Sequence, residues 1–137
     1  MRTVIFACVH SAGRSQMAAA WFNRLADPEK AKAVAAGTQP AERVHPEVVD
    51  AMGEVGIDLS AAKPKLLTAA LVAESSFLVT MGCGEQCPVA PHWVRRVDWE
   101  LDDPKGQSVE RVREIRDEIK RRVQQLVAKQ GWERSSG

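Results

Sequence analysis

No stretch of this chain is long enough to span a bilayer. Its longest apolar runs, Thr3 to Val9 and Phe77 to Met81, fall far short of the roughly 20 residues a spanning helix needs. Cysteine is scarce, and its three copies are too few and too odd in number for a disulfide scaffold. There is no concentrated Lys/Arg block either. Nineteen basic and eighteen acidic side chains leave a formal net charge of +1, which argues against a nucleic-acid surface or an anionic-membrane surface. Any anion bound here must be captured locally. The N-terminus lacks the apolar segment and small-residue cleavage site of a secretory signal, so the expected compartment is the cytoplasm. Thiols stay reduced there unless they cycle through a disulfide as part of the chemistry.

What is present is an ordinary soluble mixture, 45% hydrophobic and 27% charged, over 137 residues, the size of one compact domain. Short β-branched runs alternate with helical periodicity, which predicts βαβ units and a parallel sheet, hence the α/β class. Strands are expected at Thr3–Ala7, Lys32–Ala36, Phe77–Met81 and Val94–Trp99. Helices are expected over Ser15–Ala26, from Pro46 to a stop at Gly56, and briefly over Thr68–Ala73. A long amphipathic helix starts near Gln107, with Val112, Ile115, Ile119, Val123 and Leu126 as its stripe. Its opposite face, with Glu110, Arg113, Glu114, Asp117, Arg121 and Arg122, reads as solvated. The domain spans residues 1–130, and 131–137 is expected to be a flexible tail.

The sharpest motif runs Cys8-Val9-His10-Ser11-Ala12-Gly13-Arg14-Ser15, between a strand and a helix. Spacing alone is weak evidence, but a loop entering a helix N-terminus turns its backbone N–H groups toward one point, where the helix dipole adds positive potential. That point suits a tetrahedral oxyanion. The same amides and a guanidinium favour the thiolate of Cys8, making it a nucleophile. Arg14 offers two parallel donors to the anion. Ser15 is placed to donate to the sulfur and to cap the helix, while His10 reads as a loop residue.

A second motif, Gly82-Cys83-Gly84-Glu85-Gln86-Cys87-Pro88, follows the third strand. Four positions of separation bring Cys83 and Cys87 within disulfide range in one helical turn or a collapsed loop. Flanking glycines give Cys83 freedom to swing toward Cys8. A metal site from these cysteines and His92 lacks a paired second ligand cluster. The third motif is Asp102-Asp103-Pro104. A carboxylic acid beside the cradle can protonate a departing oxygen, and Asp103 is the choice because a residue before proline is held extended. Read otherwise, the three residues are only a turn.

Taken in order, these three motifs resemble the thioredoxin-coupled arsenate reductases, which share the fold of the low-molecular-weight protein tyrosine phosphatases. The resemblance implies a single domain with a four-stranded parallel sheet flanked by helices on both faces. The phosphatase relatives lack the cysteine pair and usually carry tyrosines beside the acid, whereas this chain has no tyrosine. A phosphatase is therefore the alternative reading. A reductase using mycothiol and a mycoredoxin remains another.

The resemblance also implies a mechanism. Residues Val9 to Ser15 hold arsenate, Cys8 attacks it, and Asp103 protonates the oxygen that leaves. Cys83 then attacks Cys8, arsenite departs, and Cys87 resolves the Cys8–Cys83 disulfide into Cys83–Cys87 for thioredoxin to reduce. No metal or organic cofactor is expected, and phosphate is the expected competitor. Several relatives have Asn where Ser11 stands and Cys where Gly13 stands. Some bind potassium through an acid in the first helix, but the matching position here is Ala19, so no such ion site is expected.

Overall fold

The computed structural model describes residues 2–82 and 89–134. Its elements run β1 (Arg2–Cys8), α1 (Arg14–Leu25), β2 (Ala31–Gly37), α2 (Pro46–Gly53), α3 (Ala69–Ala73), β3 (Phe77–Thr80), β4 (Arg95–Asp98) and α4 (Val109–Gln130). The four strands form one parallel sheet in the order β2-β1-β3-β4. The chain goes to one side of β1 for β2 and to the other for β3. A crevice therefore opens where their C-terminal ends diverge, which is the usual place for a ligand in such a sheet.

Alternation along each strand sorts the core. On one face Val4, Phe6, Cys8, Phe77 and Val79 pack with α1, α2 and α4 around Phe22, Met52 and Ile119. On the other face, among the described residues, Ile5, Ala7, Ala36 and Leu78 meet Leu67, Val72 and Val94 and the partly buried Val9, Leu71 and Ala90, with the five-residue α3 as cover. Helices thus flank both faces, but unequally. The α4 stripe buries Val112, Ile115, Ile119, Val123 and Val127, with Leu126 only partly buried.

Two local expectations need correction. Helix α1 begins at Arg14, so Ser15 lies inside its first turn and supplies no cap; Gly13 is the N-cap, without a side-chain cap hydrogen bond. The tail does not fray at Gly131. That glycine adopts a left-handed φ of 73° and turns the chain, so that Trp132 packs edge-on against Phe22 and Phe77 and is buried. Glu133 then forms a β-bridge with Ala26. The expected charged face of α4 is exposed or half-buried throughout, yet one of its cations is tied to another element. Arg113 and Arg116 both grip Glu54 beyond α2, and Arg116, buried, also donates to the Ala51 carbonyl.

Candidate active site

Strand β1 delivers Cys8 to the crevice, buried, with its Sγ hydrogen-bonded to Ser15 Oγ at 3.2 Å. The following loop is stitched to the segment after β2. Gln39 N–H donates to the Val9 carbonyl at 2.7 Å, Ala41 N–H to that of His10 at 2.9 Å, and His45 N–H to that of Ala12 at 2.9 Å. With those carbonyls turned outward and paired, the loop satisfies its acceptors away from the cradle. Among the described residues, Ser11 alone is a non-glycine with positive φ, at 50°. Here the Asn-to-Ser departure falls on the position where left-handed backbone is required. His10 is exposed and its Nδ1 pairs with the Gln39 carbonyl at 3.0 Å.

Arg14, its side chain largely buried, sends Nη1 to the Leu101 carbonyl at 3.0 Å, and its Nη2 lies 3.9 Å from Asp103 Oδ2. Asp103 is thus brought to the guanidinium, with its side chain half exposed. Its Oδ1 accepts from Lys105 N–H at 3.0 Å, the hydrogen bond of a turn. Asp102 faces away and pairs with Arg111. Of the two aspartates, Asp103 is the one beside Arg14. Pro104 is buried against Gly13, where an added Cβ would come within 2.9 Å of its Cγ; a cysteine at Gly13 would push Pro104 aside.

Cys83 and Cys87 lie outside the described residues, but the approach to them is informative. Gly82 has a φ of 99°, and a Cβ there would fall 2.5 Å from Arg14 Nη1. Position 82, immediately before Cys83, is thus packed against the Arg14 guanidinium. A cleft of about 750 Å3 continues from Gly82 and Leu101 past Trp99, Glu100 and Asp102 to α4. On its wall the Thr80 hydroxyl donates to Asp98, which holds that carboxyl below the usual range against the opposing effect of desolvation.

Sequence reasoning missed two supports. Gly37 ends β2 beneath the loop, and a Cβ there would fall 2.6 Å from the Val9 carbonyl oxygen and 2.8 Å from Ser11 N. A strand-ending glycine was visible in the sequence, but not what approached it. Gln16, buried, reaches back to Ser11 with its amide; it stands one residue past the motif, where the sequence attaches no role to it. Among the described residues, no group of three or more His, Cys, Asp or Glu is placed to hold a metal ion, and no helix is long and apolar enough to cross a membrane.

Comparison with known proteins agrees with this arrangement. A protein of Halobacterium salinarum, provisionally named an arsenate reductase, is 42% identical over 125 residues, covering 88% of this chain and 87% of its own. A thioredoxin-dependent arsenate reductase of Corynebacterium glutamicum superposes with a TM-score of 0.81 at 37% identity, over 94% of this chain and 61% of that longer one. An arsenate reductase in its phosphate-binding state superposes with a TM-score of 0.79 at 33% identity, over 94% and 98% of the two chains. The sequence model of the low molecular weight phosphotyrosine protein phosphatases matches residues 3–135, and this chain belongs to that family.

Proposed function

We propose that this protein reduces arsenate to arsenite by a relay of Cys8, Cys83 and Cys87, and that thioredoxin regenerates it in the cytoplasm. The observation that carries the reading is the packing of Gly82 against Arg14, because it brings the chain entering the cysteine pair to the cradle that holds Cys8. The similarity to arsenate reductases at 33–42% identity supports the substrate. The Corynebacterium neighbour supports the electron donor.

In this scheme the Cys8 thiolate attacks arsenic while Arg14 and the amides of Val9 to Ser15 hold the remaining oxygens, and Asp103 gives its proton to the oxygen that leaves. The Cys83 thiolate then attacks Cys8 Sγ. The S–As bonding pair passes to arsenic, which leaves as arsenite, and a Cys8–Cys83 disulfide forms. Cys87 attacks Cys83, Cys8 departs as thiolate, and the resulting Cys83–Cys87 disulfide is reduced by exchange with an external dithiol. Phosphate occupies the same cradle as a competitor but takes no electrons from thiols.

The test is NADPH consumption by reduced protein with arsenate, thioredoxin and thioredoxin reductase, beside a mycothiol and mycoredoxin arm and a control without arsenate. Turnover with thioredoxin is expected, and Cys87→Ser should release one equivalent of arsenite per protein and stop. Turnover with mycothiol alone would keep the substrate and remove Cys87 from the relay. Rapid aryl phosphate hydrolysis, with no arsenate turnover in either arm, would make the protein a phosphatase.

A further inference from the structure

The first turn of α1 contains a side chain whose contacts do not serve the helix. Gln16 stands at the third helical position, where a Gln ordinarily reaches back to accept from the N-cap N–H. Here its amide donates instead, Nε2 lying 2.9 Å from the Ser11 carbonyl oxygen and 3.3 Å from Ser11 Oγ. Ser11 is two residues upstream of the N-cap Gly13 and carries the left-handed φ of 50°. Ser15 Oγ lies 3.2 Å from Ser11 Oγ, and Cys8 Sγ lies 3.2 Å from Ser15 Oγ. All four side chains are buried, and Ser11 and Ser15 are fully enclosed.

We infer that Gln16 is a positioning residue that holds Ser11 in its left-handed conformation and orients the hydroxyl chain that stabilises the Cys8 thiolate. An amide NH2 only donates, so Ser11 Oγ receives from Gln16 whatever the state of the sulfur. With Cys8 as thiol, S–H donates to Ser15 and Ser15 to Ser11. With Cys8 as thiolate, both hydroxyls turn: Ser11 donates to Ser15 and Ser15 to sulfur. The chain Gln16, Ser11, Ser15, Cys8 then has every donor directed toward the negative charge, with no water required in a buried site. Ser lacks the tolerance of Asn for left-handed backbone, and the Gln16 bond to the Ser11 carbonyl supplies the restraint.

This rests on Cys8 being the nucleophile of the proposed reaction, yet it is testable without arsenate. In a Cys83→Ser/Cys87→Ser background, Cys8 is the one remaining thiol, and its rate of alkylation by iodoacetamide against pH reports its thiolate. Gln16→Met keeps length and removes the donors, and Gln16→Asn keeps the amide but withdraws it by one methylene. Each should raise the midpoint of the profile and slow alkylation on its acid limb about tenfold, the worth of one lost hydrogen bond to a charge. Adding Ser11→Asn to Gln16→Met should recover part of the shift. A midpoint unmoved in either folded variant overturns the inference, and Gln16→Asn decides if Gln16→Met does not fold. A shifted midpoint in a protein whose wild type never consumes arsenate would leave the inference standing and remove the proposed function.

Discussion

Cys8 and Arg14 stand out by type and by their place between a strand and a helix, because a thiol and a guanidinium there suit the proposed nucleophile and anion clamp. The residues that hold them were illegible for the opposite reason: a glycine's role is written in what comes near it. Gly37 reads in sequence as the end of a strand, yet the loop backbone lies so close that any side chain would displace it. Gly37→Ala should therefore destabilise the fold by about 1–3 kcal/mol, the range for overpacking, and abolish phosphate binding measured by calorimetry. Gly82 looked like a source of freedom for Cys83 and proves to be a seat for Arg14. Gly82→Ala combines strain at a φ of 99° with displacement of the guanidinium. It should raise the KM for arsenate about tenfold or more and cost about 1–2 kcal/mol of stability; an unchanged KM would separate Arg14 from substrate binding.

Periodicity made the helices visible, and the inner strands showed as short apolar runs buried on both faces. What it could not show was which charges on the outer face of α4 reach another element. Arg113 and Arg116 converge on Glu54, and the hydrogen bond from Arg113 leads the effects that pull the Glu54 carboxyl from 4.5 down to about 2. A group whose folded value is depressed adds stability above its unfolded value and loses it as pH falls toward the folded one. Melting temperatures of the wild type and Glu54→Gln should thus differ above pH 4.5 and converge as pH falls to about 2. The end of α4 escaped the sequence for another reason. A short, polar C-terminal stretch looks frayed, but the left-handed Gly131 folds Trp132 back between Phe22 and Phe77. Trp132→Ala should cost about 3–5 kcal/mol in denaturant unfolding, whereas a loss below about 1 kcal/mol would mark the contact as peripheral.

The whole molecule gathers its candidate site at the C-terminal end of the sheet, above the two inner strands β1 and β3. Strand count and class were readable from alternation, while the order of the strands and the convergence of Cys8, Arg14, Leu101 and Asp103 depend on contacts between distant segments. An occupied cradle ties the loop after β1 to the loop before α4, so phosphate should raise the melting temperature in proportion to the logarithm of its concentration. The same titration on Arg14→Lys should be nearly flat, and an equal rise there would place the phosphate elsewhere. The uneven cover of the sheet has a further consequence. Three helices seal one side, whereas α3 and the strap around Leu67 close the other over a few side chains. Backbone amides of residues 66–73 should trade their hydrogens for deuterium well before those of β1, through partial openings that leave the rest of the molecule assembled. Thermal opening thus begins on the α3 side, while the strand that carries the nucleophile keeps its partners.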